Sequence, residues 1–297
     1  MKPRSKWRRW KWDCLDPECI RQRHAVKRPA PRHRPGPGAA GRPDAAAARA
    51  GPHPHGRAWL LAHDSDALDA YAHTRFDAAL QRRLRGEPLA YITGHQEFYG
   101  LDLRVDTRVL CPRADTETLV DWALELLAPQ ARVLDLGTGS GAIALAIKHQ
   151  RPDVQMHARD FSADALAVAQ TNAQRLGLDV VFSQGSWLEG VTGLFDAIVS
   201  NPPYIAAADP HLAALAHEPL QALASGAYGL DDLRAIIRQA PARLAPGAWL
   251  LLEHGYDQAL AVCELLRDAG FKDVQSRPDL AGIARCSGGR WPKQAET

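Results

Sequence analysis

The stretch that most limits the possible folds is a glycine loop between an apolar strand and a helix. Residues 133–136 predict a buried strand, and residues 142–150 predict a helix. The loop between them, residues 137–141, has glycine at every second position. Its backbone can therefore turn tightly, and a ligand can approach it closely. A strand, such a loop and a helix in this order are typical of a nucleotide-binding α/β domain.

A regular alternation of apolar segments continues downstream of this loop. Short apolar runs predict strands, and segments with apolar residues three or four apart predict helices. The predicted strands are residues 154–158, 180–184, 195–200, 249–253, 271–276 and 283–286, and the predicted helices are residues 163–176, 230–244 and 257–269. Alternating strands and helices predict a doubly wound α/β sheet, with its ligand outside the carboxyl ends of the strands.

The segment upstream of the sheet predicts helices followed by a hairpin. Between residues 57 and 88, apolar residues recur at spacings near three and four, which is typical of helices packed on one face. Residues 89–94 and 97–105 predict short strands with glycines at their turns, and thus a β-hairpin connector. An amphipathic helix follows Glu117, and Asp115 is its expected N-cap.

The first 56 residues differ in composition from the rest of the chain. They contain 14 Lys and Arg against 4 Asp and Glu, nine of the 21 prolines, and three residues of the Leu, Ile, Val and Phe types. Such a segment has too few apolar side chains to form a core and predicts a disordered basic extension. The basic, aromatic run at residues 2–12 also fits an arm that binds a membrane or nucleic acid. An arginine-rich transit peptide is a further interpretation of this segment.

The charge and cysteine usage of the chain exclude several classes of protein. Residues 57–297 hold 22 Lys and Arg against 30 Asp and Glu, which argues against a nucleic-acid footprint on the folded part. No run of 18 apolar residues is present, so no membrane span is expected. The five cysteines are odd in number and scattered, as in a reducing compartment such as the cytoplasm. Cys14 and Cys19 form an isolated pair, so no metal site is predicted.

The predicted strand at residues 195–200 ends in Asn201, Pro202, Pro203 and Tyr204. Two successive prolines fix φ at about −65° and remove two backbone donors, so this stretch is stiff and presents carbonyl oxygens. The Asn201 side chain adds an acceptor and Tyr204 adds a flat ring, which together suit a planar –NH2 group. A proline-rich turn with a packing tyrosine is the structural alternative.

The glycine loop alone leaves two nucleotide ligands open. Residues 137–142 also satisfy the dinucleotide fingerprint, and Asp160, after the second strand, suits a ribose hydroxyl pair in either ligand. Glycine at every second position and the Asn-Pro-Pro-Tyr motif favour S-adenosylmethionine over NAD, because a dehydrogenase has no use for an amine pocket. Trp187 follows the third strand, where an indole can stack on an adenine, although a surface aromatic is the alternative.

Four motifs together resemble one family of enzymes; they occupy residues 86–94, 112–117, 135–144 and 200–205. From about residue 57 to residue 291, the chain resembles the protein-(glutamine-N5) methyltransferases of the HemK/PrmC type, which methylate the glutamine of the Gly-Gly-Gln motif in peptide chain release factors. The last two motifs are shared with many methyltransferases, whereas the first two are more specific. A sister branch that modifies a ribosomal protein differs after the Pro-Arg pair, so residues 115–117 favour the release-factor branch.

The resemblance implies a Rossmann-like class I methyltransferase domain, preceded by a small helical domain and a β-hairpin linker. It divides the chain into an atypical extension (1–56), a partial helical domain that docks the release factor (57–88), a linker (89–112), the methyltransferase domain (113–291) and a tail (292–297). Family members begin with a fuller helical bundle, so residues 1–56 are hypothesised to be a frameshifted or mis-started reading. Translation of the upstream DNA in the other two frames tests this hypothesis, which fails if neither frame encodes an apolar-periodic helical sequence.

The resemblance also implies roles for individual residues. The expected S-adenosylmethionine-binding residues are Gly137, Thr138, Gly139, Ser140, Gly141, Asp160, Trp187 and Asn201. The residues expected to contact the substrate glutamine are Asn201, Pro202, Pro203 and Tyr204, of which Asn201, Pro202 and Tyr204 are the expected catalytic residues. Arg113 and Glu117 are expected either to close over the cofactor or to serve only as charges at a helix start. The expected enzyme is a cytoplasmic monomer whose partner is a release factor.

Two other classes of function stay open. An adenine-N6 or cytosine-N4 methyltransferase uses the same kind of pocket on an exocyclic amine, but it needs a basic groove, and the folded part is acidic. A non-enzymatic adaptor with the same fold is the second class, and the intact glycine loop and Asn-Pro-Pro-Tyr motif argue against it. His254, Cys263 and Cys286 have no partner at catalytic spacing and are expected to be structural.

Overall fold

The computed structural model describes Ala67 and residues 69–293, in two units that are taken in turn. The first unit extends to Arg85, and its described part contains helix α1 at Ala70–Leu84. Asp69 caps this helix by accepting a hydrogen bond from the backbone N–H of Ala72 at 2.7 Å. The helix lies within the predicted helical segment, whereas the predictions for residues 1–66 and Leu68 lie outside the described residues.

The second unit, from Gly86 onward, starts with a short helix and a hairpin. These elements are α2 (Leu89–Thr93), β1 (His95–Phe98) and β2 (Leu101–Arg104). The strand predicted over residues 89–94 is therefore wrong, and the single strand predicted over residues 97–105 is wrong as well, because the turn at residues 99–100 divides that segment between β1 and β2. Ala90 and Tyr91 are both buried in one cluster, whereas neighbouring residues of a strand point to opposite faces. Gly94 then ends the helix in the left-handed conformation, with φ of 78°.

Helix α3 spans Glu117–Leu126 and starts from a 3-10 turn at Ala114–Thr116. Asp115 lies inside this turn, so its predicted role as the N-cap is wrong. The turn extends the helical path toward the N-terminus, and the Asp115 carboxylate instead lies 3.6 Å from the guanidinium of Arg285. One face of α3 is buried through Leu119, Val120, Trp122 and Ala123.

A seven-stranded sheet forms the centre of the second unit. Its strands are β3 (Arg132–Leu136), β4 (Gln155–Asp160), β5 (Val181–Gln184), β6 (Phe195–Ser200), β7 (Leu244–Glu253), β8 (Lys272–Pro278) and β9 (Ala284–Arg290). The spatial order is β5-β4-β3-β6-β7-β9-β8, in which the first five strands are parallel and β9 is antiparallel to both of its neighbours. The predicted doubly wound sheet is confirmed, and the connections change direction between β3 and β6.

Helices connect the strands of this sheet. They are α4 (Ala142–Gln150), α5 (Ala163–Leu176), α6 (Asp231–Gln239) and α7 (Ala259–Asp268). The bounds of α4 and α5 agree with the prediction, because local signals such as the Ser162 N-cap and the left-handed Gly177 fix them. Helix α6 ends earlier than predicted, since Pro241 lies in a 3-10 turn that follows it. Among the helices of residues 69–293, none is long and apolar enough to cross a membrane.

The apolar side chains of the central strand are divided between the two faces of the sheet. Val133 belongs to the cluster covered by α3, α4 and α5, whereas Leu134 and Leu136 belong to the cluster covered by α6 and α7. Because successive side chains of a strand point to opposite faces, an apolar run such as this one buries both. The carboxyl ends of the strands are the edge at which functional side chains gather.

Candidate active site

The glycine loop at residues 137–141 is held against the end of β4. The backbone N–H of Gly137 donates to the carbonyl of Arg159 at 2.8 Å, and that of Gly139 donates to Asp160 Oδ2 at 2.9 Å. The two glycines have φ of 69° and 56°, in the left-handed region that favours glycine. The shape of the loop therefore depends on backbone groups and on one carboxylate.

Asp160 ends β4 and links the loops on either side of it. Besides its bond to Gly139, it accepts the N–H of Ser162 on Oδ1 at 2.9 Å. Burial raises the pKa of Asp160, and the backbone N–H groups that it accepts oppose this shift. Each carboxylate oxygen has a second lone pair, and the residue lines a cavity. The geometry thus permits the predicted contact with two ribose hydroxyls.

A second carboxyl, Asp135, supports the loop from behind. It is fully buried, and its Oδ2 accepts a hydrogen bond from the hydroxyl of Thr138 at 2.7 Å. Burial raises the pKa of Asp135 to about 7, while the bond from Thr138 acts in the opposite direction. Asp135 therefore holds the loop and not a ligand.

Trp187 lines the cavity beside the glycine loop. Its indole Nε1 donates to Asp232 Oδ1 at 3.1 Å. The ring also lies against Gly137, because a Cβ at that glycine would be 3.4 Å from the indole. The backbone of Trp187 has φ of 36°, which is uncommon for a residue other than glycine. The indole is therefore held at the cavity, and its stacking on an adenine stays a prediction.

These residues enclose one side of a cavity of about 270 Å³ at the carboxyl ends of β3, β4 and β6. The predicted site residues that line it are Gly137, Thr138, Gly139, Ser140, Asp160, Trp187, Asn201 and Pro203. Residues without a predicted role also line it, among them Thr116, Arg159, Phe161, Pro219, Gln221 and Asp232. Phe161 directly follows Asp160 at the end of β4, so its position in the sequence could have indicated that it lines the cavity.

The remaining three predicted residues, Gly141, Pro202 and Tyr204, are not among the residues that line this cavity. Gly141 begins α4, and a Cβ there would be 2.9 Å from the side chain of Leu145, so helix packing governs this position. Pro202 is buried, and the Tyr204 hydroxyl points to Glu253. The substrate roles of Pro202 and Tyr204 stay predictions.

The Asn-Pro-Pro-Tyr motif lies beside the end of β7. Ser200 on β6 pairs with Leu252 on β7, so that Asn201, directly after β6, comes beside Glu253, the last residue of β7. Asn201 Nδ2 donates to Thr116 Oγ1 at 3.2 Å. The other end of the amide, Oδ1, is the acceptor that Asn201 can offer to the cavity.

The backbone after the motif is fixed by residues that the sequence did not single out. Gln258 Nε2 donates to the carbonyl of Tyr204 at 3.0 Å and to that of Gly229 at 3.2 Å. A Cβ at Gly229 would lie 2.2 Å from the Tyr204 carbonyl oxygen, and its φ is 70°. Only glycine allows this close approach, so the backbone leaving Tyr204 has little freedom.

Arg113 and Glu117 have different positions. Arg113 lines the cavity and forms an ion pair with the buried carboxylate of Glu218, which also accepts the N–H of Cys111 at 3.1 Å. Glu117 accepts the N–H of Tyr99 in the hairpin turn at 3.0 Å. Arg113 therefore lies at the cavity, and its expected contact with a cofactor stays a prediction, whereas the contact of Glu117 with the hairpin fits a structural role.

His254 forms a buried cluster with Ser287 and Cys263. Its Nε2 lies 2.8 Å from the Ser287 hydroxyl, and its Nδ1 lies 2.9 Å from the carbonyl of Gly255, so the Nδ1–H donates to that carbonyl. Burial lowers the pKa of His254, which keeps the ring neutral. Within residues 69–293, no three His, Cys, Asp or Glu side chains group as metal ligands.

Comparisons with known proteins identify relatives of the chain. The family model described as the methyltransferase small domain matches residues 116–226, and the PrmC N-terminal domain matches residues 55–94. A release factor glutamine methyltransferase of Xylella fastidiosa is 51% identical over 242 residues, which cover 80% of this chain and 88% of that protein. Another from Bordetella pertussis is 50% identical over 239 residues, which cover 78% of this chain and 88% of that protein.

The fold is also similar to that of solved methyltransferases. The crystal structure of a methyltransferase from Pyrococcus furiosus matches with a TM-score of 0.51 and 18% identity, covering 76% of this chain and 100% of that chain. A likeness at this identity concerns the fold alone, which is the α/β architecture described above.

Proposed function

The chain belongs to the family of release factor glutamine methyltransferases, and we propose that it methylates a release factor itself. The reaction transfers a methyl group from S-adenosylmethionine to the side-chain amide nitrogen, N5, of the glutamine in the Gly-Gly-Gln motif. The position of Asn201 carries this proposal. It lines the cavity, and since its Nδ2 is bonded to Thr116, its oxygen is the end of the amide available to an incoming N–H.

The substrate nitrogen is a poor nucleophile, because its lone pair is delocalised into the neighbouring carbonyl. Asn201 Oδ1 and the backbone carbonyl of Pro202 accept its two hydrogens, which raises the electron density on nitrogen and aims it for in-line attack. Tyr204 packs against the amide plane. The N-methylated product nitrogen is strongly acidic while it carries its extra proton, so water can take that proton and no side chain is required as a general base.

The residues around the cavity fit S-adenosylmethionine as the methyl donor. When bound, it supplies an electrophilic methyl group on a sulfonium. Asp160 offers lone pairs for ribose hydroxyls, and the glycines at residues 137–141 allow the ligand to approach the backbone. Trp187 offers an indole to the adenine.

A release factor is the proposed partner for two reasons. The relatives reported above carry that activity in their names, and residues 57–297 are acidic overall, which disfavours a nucleic-acid substrate. The match of the PrmC N-terminal domain at residues 55–94 supports a docking role for residues 57–88. We propose that the protein is cytoplasmic, because translation termination takes place in that compartment. We also propose that it is a monomer, which light scattering after size exclusion checks.

Transfer of labelled methyl groups tests the proposal. The full chain is incubated with labelled S-adenosylmethionine and either a release factor or its Gly-Gly-Gln→Gly-Gly-Ala variant, with and without nuclease treatment. Label is expected in the first protein, none in the variant, and no effect of the nuclease. Equal labelling of the variant, or loss of label after nuclease treatment, contradicts the proposal.

A further inference from the structure

A buried carboxyl lies directly behind the Asn-Pro-Pro-Tyr motif. Glu253, the last residue of β7, is 1% exposed, and its Oε1 accepts a hydrogen bond from the Tyr204 hydroxyl at 3.2 Å. Its second oxygen, Oε2, is buried and has no hydrogen-bond partner among the described residues. A buried carboxyl normally has its acceptors satisfied, so this oxygen requires an explanation.

Thr116 lies between this carboxyl and Asn201. It is 3% exposed, and its Oγ1 accepts the hydrogen bond from Asn201 Nδ2. The same hydroxyl lies close enough to Glu253 to oppose the rise in its pKa by hydrogen bonding. A threonine hydroxyl has one proton to donate, and the carboxyl of Glu253 is the acceptor beside it.

We propose that Glu253 and Thr116 are positioning residues, which fix the orientation of the Asn201 side-chain amide so that its oxygen faces the substrate. This inference rests on the proposed function. Its basis is the 3.2 Å hydrogen bond from Asn201 to Thr116, together with the buried Glu253 carboxyl, which lies beside the Thr116 hydroxyl and has one oxygen without a hydrogen-bond partner among the described residues. The two residues act through Asn201 and need no contact with the substrate.

The direction follows from the chemistry of each group. An ionised Glu253 can only accept hydrogen bonds, so the Thr116 hydroxyl donates one to it. The Thr116 oxygen can then only accept from Asn201, which must present its Nδ2. The Asn201 oxygen is left for the N–H of the substrate glutamine. If these hydrogen bonds ran in the opposite direction, the Asn201 amide N–H groups would face the N–H groups of the substrate glutamine, and no hydrogen bond could form between them.

The surroundings of Glu253 make this direction sensitive to protonation. The groups that face it are Tyr204, Thr116, Asp115, Arg285 and Cys286. Burial raises the pKa of Glu253 to about 7, and the hydrogen bonds from Thr116 and Tyr204, with the charge of Arg285, oppose that rise. Below that pH the Glu253 carboxyl is protonated and can donate a hydrogen bond to Thr116. The hydrogen bonds from Glu253 through Thr116 to Asn201 can then run in the opposite direction. We therefore expect kcat to fall as the pH is lowered through about 7.

Matched substitutions at Thr116 test the inference. Thr116→Val keeps the shape of the side chain and removes the hydroxyl, so kcat is expected to fall about 10- to 100-fold, with the KM for S-adenosylmethionine changed less than about threefold. Thr116→Ser is expected to restore most of kcat. Thr171→Val, the same change at an exposed residue of α5, is the control for the substitution itself and is expected to match the unsubstituted protein.

Glu253→Gln removes the group that sets the direction. It is expected to lower kcat and to abolish its fall at low pH, while Thr116→Val combined with Glu253→Gln loses no more than the larger single effect, because both break one chain. Should Glu253→Gln fail to fold, the Thr116 pair decides the question. Additive losses, or equal losses for Thr116→Val and Thr116→Ser, overturn the proposal.

A readout without catalysis separates this inference from the proposed function. The side-chain amide signals of Asn201 in ¹⁵N-labelled full-length protein are assigned by their loss in Asn201→Asp. They are expected to shift and exchange faster with solvent in Thr116→Val, but not in Thr116→Ser or Thr171→Val. If the unsubstituted protein does not label a release factor, the proposed function fails and these signals still decide the hydrogen-bond chain. If the unsubstituted protein labels the release factor, and Thr116→Val retains both the unsubstituted kcat and the unsubstituted Asn201 amide signals, the proposed hydrogen-bond chain is refuted.

Discussion

The two sides of the cavity are built in different ways. On the β3–β4 side, backbone N–H groups of the glycine loop donate to the carbonyl of Arg159 and the carboxylate of Asp160. On the β6–β7 side, four side chains meet in two pairs: the Asn201 amide donates a hydrogen bond to Thr116, and the Tyr204 hydroxyl donates one to Glu253. One wall is shaped by the main chain, and the other by a network of side chains.

This difference matches the task proposed for each wall. A ligand such as S-adenosylmethionine is held by its outline and its hydroxyls, for which a close backbone and one carboxylate suffice. A nucleophilic amide must be aimed within a fraction of an ångström, which requires an acceptor of fixed orientation. Changes in the first wall should therefore mainly affect cofactor binding, and changes in the second should mainly affect kcat.

The largest effect is expected from Asn201→Ala. Loss of the acceptor for the substrate N–H should lower kcat by about 100- to 1,000-fold, because stabilisation of the reacting group is lost in the transition state. Binding of S-adenosylmethionine, measured by calorimetry, should weaken only moderately. Full activity with a release factor would remove Asn201 from the chemistry and with it the assignment of this wall.

A smaller effect, and on the other parameter, is expected from Asp160→Asn. The carboxylate accepts two backbone N–H groups at 2.9 Å each, and an amide replaces one accepting oxygen by a donor. We expect S-adenosylmethionine to bind roughly 10- to 100-fold more weakly, with kcat at saturation little changed.

The pH dependence of this binding provides a check on the role of Asp160. Burial raises the pKa of Asp160, so affinity in the unsubstituted protein should fall as the pH is lowered through the titration of this carboxyl. The Asp160→Asn variant should bind with the same affinity across that range. A variant that keeps the pH dependence shows that another group titrates.

The first glycine of the loop provides the next test, the substitution Gly137→Ala. Its φ of 69° is unfavourable for any side chain, and the added Cβ would lie 3.4 Å from the Trp187 ring. A strain of about 1–2 kcal/mol corresponds to roughly 5- to 30-fold weaker cofactor binding, measured by calorimetry. Gly190→Ala is the control, since its φ of 70° carries the same strain and no atom lies within 4 Å of the added Cβ. An equal loss of binding in both variants would show that the strain acts on the whole fold and not on the loop.

How far the sequence predicts the fold depends on whether a signal is local. Helix α5 was predicted to its ends, because Ser162 and Gly177 mark them directly in the sequence. The strand predicted at residues 89–94 was wrong, because a five-residue apolar segment has no periodicity that separates a helical turn from a strand. Asp115 satisfied the N-cap pattern, but the 3-10 turn before α3 occupies that place.

The same limit divides the candidate site. The glycine loop and Asn201 are each marked by their own neighbours in sequence, and the structure brings them to one cavity. Glu253 is not so marked, and the motif at residues 112–117 contains Thr116 without indicating its contact with Asn201. The two residues are brought to Asn201 only by the pairing of β6 with β7 and by the turn before α3. Prediction of such residues requires the strand order and register, which no single segment of the chain encodes.

The finest comparison of the two walls concerns Trp187, a large side chain on the main-chain side. Trp187→Phe keeps a ring and loses the 3.1 Å bond to Asp232, so cofactor binding should weaken about two- to tenfold. Trp187→Ala removes the ring as well and should weaken binding further if the indole stacks on the adenine. Asp232→Asn keeps an acceptor for the indole N–H and should have the least effect. Equal affinities for Trp187→Phe and Trp187→Ala would mean that the hydrogen bond, and not the ring, positions the cofactor, and both walls would then depend on side-chain hydrogen bonds.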